Sequence, residues 1–255
     1  MQYFALVGLF FIITAVLPVF FWLLYFSYQD RKEPEPKKTV LRLFFWGIIT
    51  AFLIMLLKRG ASFILLDAKT SLTFEYLTSD KAMNQLTIIR AQLLFFVAGV
   101  LEEGVKFFIL KTIIFKKRVF NQIIDGVVYG TTLALGFAFA ENSLYFINFF
   151  NQLDQAELFF NSTMRGVATV LLHVVATGII GFYLGKSKFK KKGKTLILLK
   201  GLTLGSILHA CFNVFLQLKT PLNYLAFLIL LIGFIFLSIK ISKKDSKIIW
   251  WRQKT

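Results

Sequence analysis

The segment Ala91–Phe115 reads AQLLFFVAGVLEEGVKFFILKTIIF and decides how the rest of the chain is interpreted. It is long enough to cross a hydrocarbon layer, which takes about 20 helical residues. Glu102, Glu103 and Lys106 nevertheless interrupt its apolar run. Ionisable groups cost several kcal/mol inside a bilayer and persist there mainly where they face a protein interior. The segment therefore predicts a membrane helix with an inward polar face, which is the first place to look for chemistry.

The rest of the chain repeats this apolar pattern. Hydrophobic residues make up 57% of the 255 positions and 31 residues are Phe, which excludes an ordinary soluble domain. The sequence predicts an all-α fold, a polytopic transmembrane helical bundle of about seven spans in one integral-membrane domain over residues 1–255. Pro18 predicts a kink in the first span, because proline lacks an N–H. Besides Ala91–Phe115, six spans are expected, at Tyr3–Phe26, Leu43–Leu57, Ile123–Phe150, Val167–Leu184, Leu196–Leu218 and Leu222–Ile239.

The distribution of basic residues fixes the predicted orientation and bears on possible partners. With the amino terminus outside and the carboxyl terminus inside, 22 of the 30 Lys and Arg residues fall in cytoplasmic segments. This is the asymmetry of a membrane protein. The net charge of +17 is therefore not read as nucleic-acid binding, since no aromatic-basic surface module accompanies it. Membrane lipid is the expected contact, with anionic headgroups beside Lys186–Lys194. Cys211 is the only cysteine, so no intrachain disulfide forms.

The polar residues inside the predicted spans recur at helical spacing. Residues three or four apart lie on one helix face, and every candidate has such a neighbour or a charged partner nearby. Neither a Ser-His-Asp set nor an H-E-x-x-H helix is present, so attack by water is favoured over a protein nucleophile. The candidates are Glu102 and Glu103 with Lys106, Glu141 with Asn142, His173 with Thr177, and His209 with Asn213.

The depth of these candidates indicates that they share one site. At 1.5 Å per residue, Glu102, Glu103, Glu141, His173 and His209 lie about 9–17 Å below the outer ends of their spans. Four alternately directed helices therefore bring polar groups to one layer of the outer half. Asp125 lies about 24 Å from Glu141 along its helix, so it is expected at the cytoplasmic start of that helix instead.

Clustered carboxylates and imidazoles admit two mechanisms of hydrolysis. In the first, a glutamate acts as general base toward water while histidine and asparagine stabilise the oxyanion. In the second, Glu and His bind a divalent metal such as zinc, for which Glu141, His173 and His209 are the candidate ligands. The sequence leaves open whether the cofactor is none or one metal ion.

These motifs, in this order and spacing, resemble those of PrsW-type intramembrane proteases, distant relatives of the CAAX prenyl proteases and bacteriocin-immunity Abi proteins. The resemblance extends over about 102–213 and rests on four motifs on separate spans. It implies a catalytic core at about 91–218. The motifs are Glu102-Glu103-x-x-Lys106, Asp125-Gly126-x-x-Tyr129-Gly130 followed by Phe137-x-x-x-Glu141-Asn142, His173-x-x-x-Thr177, and His209-x-x-x-Asn213.

The resemblance also implies an activity and a set of roles. The activity is site-one cleavage of a single-pass membrane protein, typically an anti-sigma factor, near the outer face of a bacterial plasma membrane. Glu102 or Glu103 would activate water, and Glu141 with His173 would assist as base or ligands. His209 and Asn213 would stabilise the oxyanion. CAAX proteases have His in place of Glu141, and Arg one residue beyond the position of Lys106, so prenylated substrates are not expected.

Two other functions are compatible with buried acids and histidines. In a proton-coupled or ion-coupled transporter, they would line a translocation path with a polar stripe reaching both faces. The sequence shows little polar lining on the cytoplasmic side of the cluster. In a non-catalytic Abi-like membrane protein, the same residues would serve packing alone.

Overall fold

The computed structural model describes residues 2–29, 33–65, 85–150, 153–218 and 221–252. Within these ranges every regular element is a helix, which confirms the all-α prediction. The first rod is broken by a π-helical turn, and the others are continuous. The elements are α1 (Gln2–Phe11), the π-helical turn (Ile12–Val16), α2 (Leu17–Gln29), α3 (Lys37–Leu65), α4 (Gln85–Ile114), α5 (Ile123–Phe149), α6 (Gln155–Lys188), α7 (Lys194–Leu216) and α8 (Tyr224–Arg252).

Six stretches of the described helices are long and apolar enough to cross a membrane, so the chain is a multi-pass membrane protein. α4 contains the remaining predicted span, Ala91–Phe115, and packs among the six, although Glu102, Glu103, Lys106 and Lys111 interrupt its apolar run. The predicted bounds of the second span, Leu43–Leu57, are too narrow, because the observed stretch includes the flanking basic residues and extends over Lys37–Lys58. The six stretches are Leu6–Tyr28, Lys37–Lys58, Ile123–Phe149, Gln155–Lys188, Lys194–Leu216 and Tyr224–Ile241.

The first rod is distorted directly before Pro18, where a kink was predicted. Pro18 has no N–H to donate to the carbonyl of Thr14, and the chain forms the π-helical turn at this point. The turn places Thr14 against α6, where a Cβ added to Gly166 would collide with the Thr14 carbonyl oxygen. The distortion therefore lies where the first rod packs against the centre of the bundle.

Helices α5 and α6 form that centre, and both are buried along most of their length. Their backbones touch at Gly126 and Gly181, where a Cβ on either glycine would collide with the carbonyl oxygen of the other. Small residues on facing helices permit this close approach. The α5–α6 pair forms the scaffold against which the other helices are placed.

Asp125 lies at the start of α5, as predicted, and forms a capping box with Gln122. Its Oδ2 accepts hydrogen bonds of 2.7 Å from the backbone N–H groups of Asn121 and Gln122. An acidic residue in the first turn also complements the helix dipole. Asp125 therefore stabilises the end of α5 far from Glu141 and takes no part in the cluster described below.

Gly99 brings α4 against α7 one turn before the paired glutamates. A Cβ at Gly99 would lie 2.8 Å from both Cα and N of Ala210, which is adjacent to His209. Backbone atoms at that distance have to move. The contact therefore sets the separation between the helix that carries Glu102 and Glu103 and the helix that carries His209.

We expect Gly99→Ala to destabilise the protein by about 1–3 kcal/mol, because the added methyl group forces α4 and α7 apart. Thermal unfolding in detergent measures the loss. The matched control is Gly104→Ala on the same helix, where an added Cβ meets nothing within 4 Å. Its effect should be neutral or slightly stabilising, since alanine favours helix over glycine. Equal melting temperatures for the two variants would contradict this account of the α4–α7 contact.

Candidate active site

Five helices bring their ionisable side chains into one cluster; four of them are those of the depth argument, and α3 is added to them. Three glutamates face three permanently cationic side chains, two lysines and one arginine, so the formal charges cancel when both imidazoles are neutral. Charge balance of this kind lowers the cost of burying each group. The members are Lys58 on α3, Glu102, Glu103 and Lys106 on α4, Glu141 on α5, Arg165, His173 and Thr177 on α6, and His209 on α7.

Glu103 has both carboxylate oxygens fully engaged. Its Oε1 accepts hydrogen bonds of 2.8 Å from Lys106 Nζ and from His209 Nδ1. Its Oε2 accepts a bond of 2.7 Å from the hydroxyl of Thr177. All four side chains are buried. Glu103 therefore ties α4 to α6 and α7, and it fixes the orientation of the His209 ring.

Glu102, the adjacent residue, has one oxygen in a short ion pair, while the other, Oε2, makes no hydrogen bond and lies 3.6 Å from Lys106 Nζ in a longer ion pair. Its Oε1 lies 2.5 Å from Lys58 Nζ. Its Oε2 is buried and makes no hydrogen bond. That atom lies 3.6 Å from His209 Nε2 and 3.9 Å from His173 Nδ1. An unsatisfied buried carboxylate oxygen is rare in proteins and calls for an explanation, and two imidazole nitrogens lie just beyond hydrogen-bond distance.

His173 is oriented from both sides of its ring. Its Nε2 donates to Glu141 Oε2 at 3.1 Å, and its Nδ1 accepts from Lys106 Nζ at 2.9 Å. Phe137 meets the ring edge-on at a centroid distance of 4.9 Å, and Lys106 Nζ lies 3.9 Å from the Phe137 centroid. This cation–π contact partly compensates the burial of Lys106. Phe137, which the sequence shows only as a motif position, thus packs against both His173 and Lys106.

The donor set fits a divalent metal ion. One ligand atom each from Glu102, His173 and His209 lies within 4.8 Å of the others. Each imidazole is bonded to a carboxylate through the nitrogen away from Glu102, the arrangement that orients histidine ligands in metal sites. A metal would also supply the missing partner of Glu102 Oε2. Binding through His173 Nδ1 would require Lys106 to give up that nitrogen, while its bond to Glu103 can remain.

This grouping differs from the predicted ligand set of Glu141, His173 and His209, because it has Glu102 in place of Glu141. In the structure Glu102 faces the two imidazoles, and Glu141 instead bonds to the nitrogen of His173 that points away from Glu102. The sequence could not separate these acids, because depth along a helix is known only to within a turn. Side-chain direction decides between them.

One side of the cluster is open. Glu141 is 25% exposed and contacts Lys58 at 3.2 Å and Arg165 at 3.4 Å, and those two side chains are 34% and 26% exposed. Glu102, Glu103, Lys106, His173 and His209 are buried behind them. We call Lys58, Glu141 and Arg165 the rim. The buried groups lie behind this rim.

Lys58 is the main site residue that sequence reasoning missed. A lysine directly after the apolar run Leu43–Leu57 is typical of an interfacial anchor at the start of an outer loop. In the structure α3 continues past it. The available signal was spacing, because Thr50, Ile54 and Lys58 are four apart, and Thr50 and Ile54 are buried. A basic residue that continues a buried face is positioned to meet acids.

Two predicted residues bond elsewhere. Asn142 accepts a 3.1 Å hydrogen bond from Thr169 and so links α5 to α6. Asn213 donates a 3.5 Å bond to the Phe95 carbonyl and so links α7 to α4. Both lie next to the cluster in sequence or one turn away. The structure brings neither amide to the carboxylates.

Comparison with known proteins gives a consistent family. A family model described as PrsW family intramembrane metalloprotease matches residues 35–239. The protein named Protease PrsW of Bacillus subtilis (strain 168) is 30% identical over 210 residues, which cover 82% of this chain and 84% of that protein. Protease PrsW of Oceanobacillus iheyensis is 32% identical over 199 residues, covering 76% and 78%. Protease PrsW of Clostridioides difficile is 28% identical over 232 residues, covering 90% and 87%.

No solved structure matches the chain significantly. The matches support the PrsW proteases, but they do not support the wider relationship to CAAX prenyl proteases and Abi proteins that the motifs indicated. That part of the resemblance is withdrawn. Short Glu and His motifs on apolar helices are too simple in composition to prove such a distant relationship.

Proposed function

Because this chain belongs to the PrsW family of intramembrane metalloproteases, we propose that it hydrolyses a peptide bond of a membrane-anchored protein at the cluster of Glu102, His173 and His209. Family membership makes the chain an intramembrane protease of the bacterial cell membrane, and the transporter and non-catalytic alternatives are set aside on that ground. The observation that supports this site is the position of Glu102 Oε2, which is buried without a hydrogen bond and faces one nitrogen of each histidine.

We assign Glu102, His173 and His209 to hold a divalent metal ion such as zinc. When bound by two imidazoles and a carboxylate, such an ion acidifies water and polarises a carbonyl group. Glu103 and Glu141 orient the two histidines through hydrogen bonds to their other nitrogens. Thr177 and Lys106 hold Glu103 in turn. Every buried polar member of the cluster thereby has a stated role.

Glu141 is the proposed proton acceptor, because it is the one carboxylate of the cluster on the open rim. A water oxygen attacks the scissile carbonyl carbon while its proton passes to Glu141, and the carbonyl π electrons move to the oxygen as an oxyanion. The carbon–nitrogen bond then breaks, and the proton moves from Glu141 to the leaving nitrogen. The products are a carboxylate and an amine.

The proposed substrate is a single-pass membrane protein, such as an anti-sigma factor, cleaved near the membrane surface. With the amino terminus outside, the rim faces the extracytoplasmic half of the bilayer, because α3 runs outward and Lys58 lies toward its far end. A juxtamembrane segment there needs little unwinding to reach the rim. The proposed catalytic core of about 91–218 is completed by α3, which supplies Lys58.

Reconstituted liposomes test the proposal. Wild-type protein and His209→Ala are incorporated with a panel of single-pass proteins that differ in their outer juxtamembrane segment, and new amino termini are sought by mass spectrometry. Cleavage by the wild type alone is the expected result, since His209 faces Glu102 and is held by Glu103. Identical product patterns from the two proteins would refute the assignment of the site.

A further inference from the structure

We propose that Lys58 is a further catalytic residue, whose ammonium group stabilises the negative charge that develops on the substrate carbonyl oxygen. This inference rests on the proposed function and names the group that the mechanism above leaves unassigned. The resemblance gave the role to His209 and Asn213. The structure commits His209 Nδ1 to Glu103 and the Asn213 amide to the Phe95 carbonyl.

The position of Lys58 is set by the buried face of α3. Thr50 and Ile54 are buried on that face, and Lys58 continues it by one more turn. The Lys58 ammonium thereby reaches across to two other helices, at 2.5 Å from Glu102 Oε1 and 3.2 Å from Glu141 Oε1. It lies between the proposed metal-ligand carboxylate and the proposed proton acceptor, where a scissile bond has to lie.

The donor inventory of Lys58 leaves one N–H for a substrate. An ammonium group has three donors and no acceptor, and two of them are directed at Glu102 and Glu141. About a third of the side chain is exposed at the rim. Lys58 is therefore bound firmly enough to be positioned and open enough to contact a bound peptide.

The other cations of the cluster are less suited to this role. Lys106 is fully buried, and its donors are directed at Glu103 and His173 beneath the rim. Arg165 is accessible, but the acid it contacts is Glu141, and its guanidinium lies 4.3 Å from the ring centroid of Tyr145. Among the described cations, Lys58 combines access with direct contact to Glu102.

The size of the effect follows from where the charge develops. A preorganised donor aimed at a forming oxyanion acts in the transition state and contributes little to substrate binding. Removing one such donor lowers kcat by about 10²–10³-fold. Lys58→Met is therefore expected to lower kcat to this extent with KM changed less than about threefold. Lys58→Arg should recover part of the loss, because it keeps the charge and the donors.

Two inhibitors separate this role from a structural one. A phosphinic peptide carries a tetrahedral oxygen like that of the transition state, whereas an uncleavable ground-state peptide does not. Lys58→Met should weaken binding of the phosphinic peptide about as much as it lowers kcat, and it should leave binding of the ground-state peptide nearly unchanged. The matched control is Lys38→Met, which changes an exposed lysine near the other end of α3. This variant should alter the binding of neither inhibitor. Metal content should equal that of the wild type.

Chemical rescue covers the case in which Lys58→Met fails to fold. Cys211 is the only cysteine, so Lys58→Cys in a Cys211→Ser background offers one thiol for aminoethylation. The product carries an ammonium group at nearly the original position. Activity that returns on aminoethylation, but not on methylation of the same thiol, supports the proposal.

Three results would overturn it. The first is undiminished kcat in Lys58→Met. The second is an equal loss of binding affinity for both inhibitors in Lys58→Met, which identifies a purely structural ion pair. The third is failure of aminoethylation to restore any activity to a folded protein. Loss of the proposed function itself is distinguishable, because then Glu102→Gln would also cleave normally.

Discussion

Glu102→Gln should abolish cleavage, with a fall of about a thousandfold or more, while the protein remains folded. The variant removes the negative charge from the oxygen that faces His173 and His209 and so destroys the proposed ligand set. The stability cost should be smaller than that of Glu103→Gln, because Lys58 keeps its contact with Glu141 and is partly exposed, and Lys106 lies 3.6 Å from Glu102 but 2.8 Å from Glu103. Initial rates in liposomes and thermal unfolding in detergent measure the two quantities.

The matched control is Glu103→Gln, which changes the adjacent residue in the same way. Glu103 accepts hydrogen bonds from Lys106, His209 and Thr177, all of them buried. Breaking a buried pair by removing one partner costs about 3–5 kcal/mol. Glu103→Gln should therefore lose stability as well as activity. Equal melting temperatures for the two variants, or full activity in Glu102→Gln, would be incompatible with the different roles assigned to these glutamates.

Removal of metal should have an effect of similar size on the wild-type protein. Treatment with 1,10-phenanthroline should reduce cleavage to background, and added zinc should restore it, because Glu102, His173 and His209 provide a three-ligand site. The non-chelating isomer 1,7-phenanthroline controls for effects of the compound on the membrane. Activity that survives exhaustive chelation would instead favour water activation by a glutamate without a metal.

The predictable part of this structure follows from hydropathy and helix geometry. Apolar runs locate the helices because a bilayer demands about 20 apolar residues for each crossing. Depth along those helices indicates that Glu102, Glu141, His173 and His209 lie in one layer, since the rise per residue is fixed. Both arguments use only the axis of each helix, and both agree with the observed bundle and cluster.

The contacts of each side chain depend on the direction in which it points around its helix axis, which hydropathy and depth do not give. Adjacent residues point about 100° apart, so Glu102 contacts Lys58 and Glu103 contacts Thr177, although both glutamates lie at one depth near Lys106 and His209. The same rotation separates Glu141, which faces His173, from Asn142, which faces Thr169. Only the packing of neighbouring helices fixes these directions, so the roles of the acids could not be separated beforehand.

Lys58 fell outside the prediction for a different physical reason. Hydropathy treats a lysine at the end of an apolar run as an anchor in the headgroup region. That reading assumes lipid around the residue. In the bundle Lys58 faces Glu102 and Glu141 of neighbouring helices, and their carboxylates replace water as its partners. Burial of a charge beside opposite charges is a tertiary property that a single span does not reveal.

Metal content of the purified protein, measured together with X-ray absorption at the zinc edge, tests directly whether Glu102, His173 and His209 bind an ion. We expect about one metal ion per chain, with nitrogen and oxygen ligands at about 2.0–2.2 Å. The ion should be lost in Glu102→Gln and His209→Ala and retained in Gly104→Ala. Active wild-type protein without metal, or an unchanged metal content in Glu102→Gln, would contradict the claim that Glu102, His173 and His209 form one metal site.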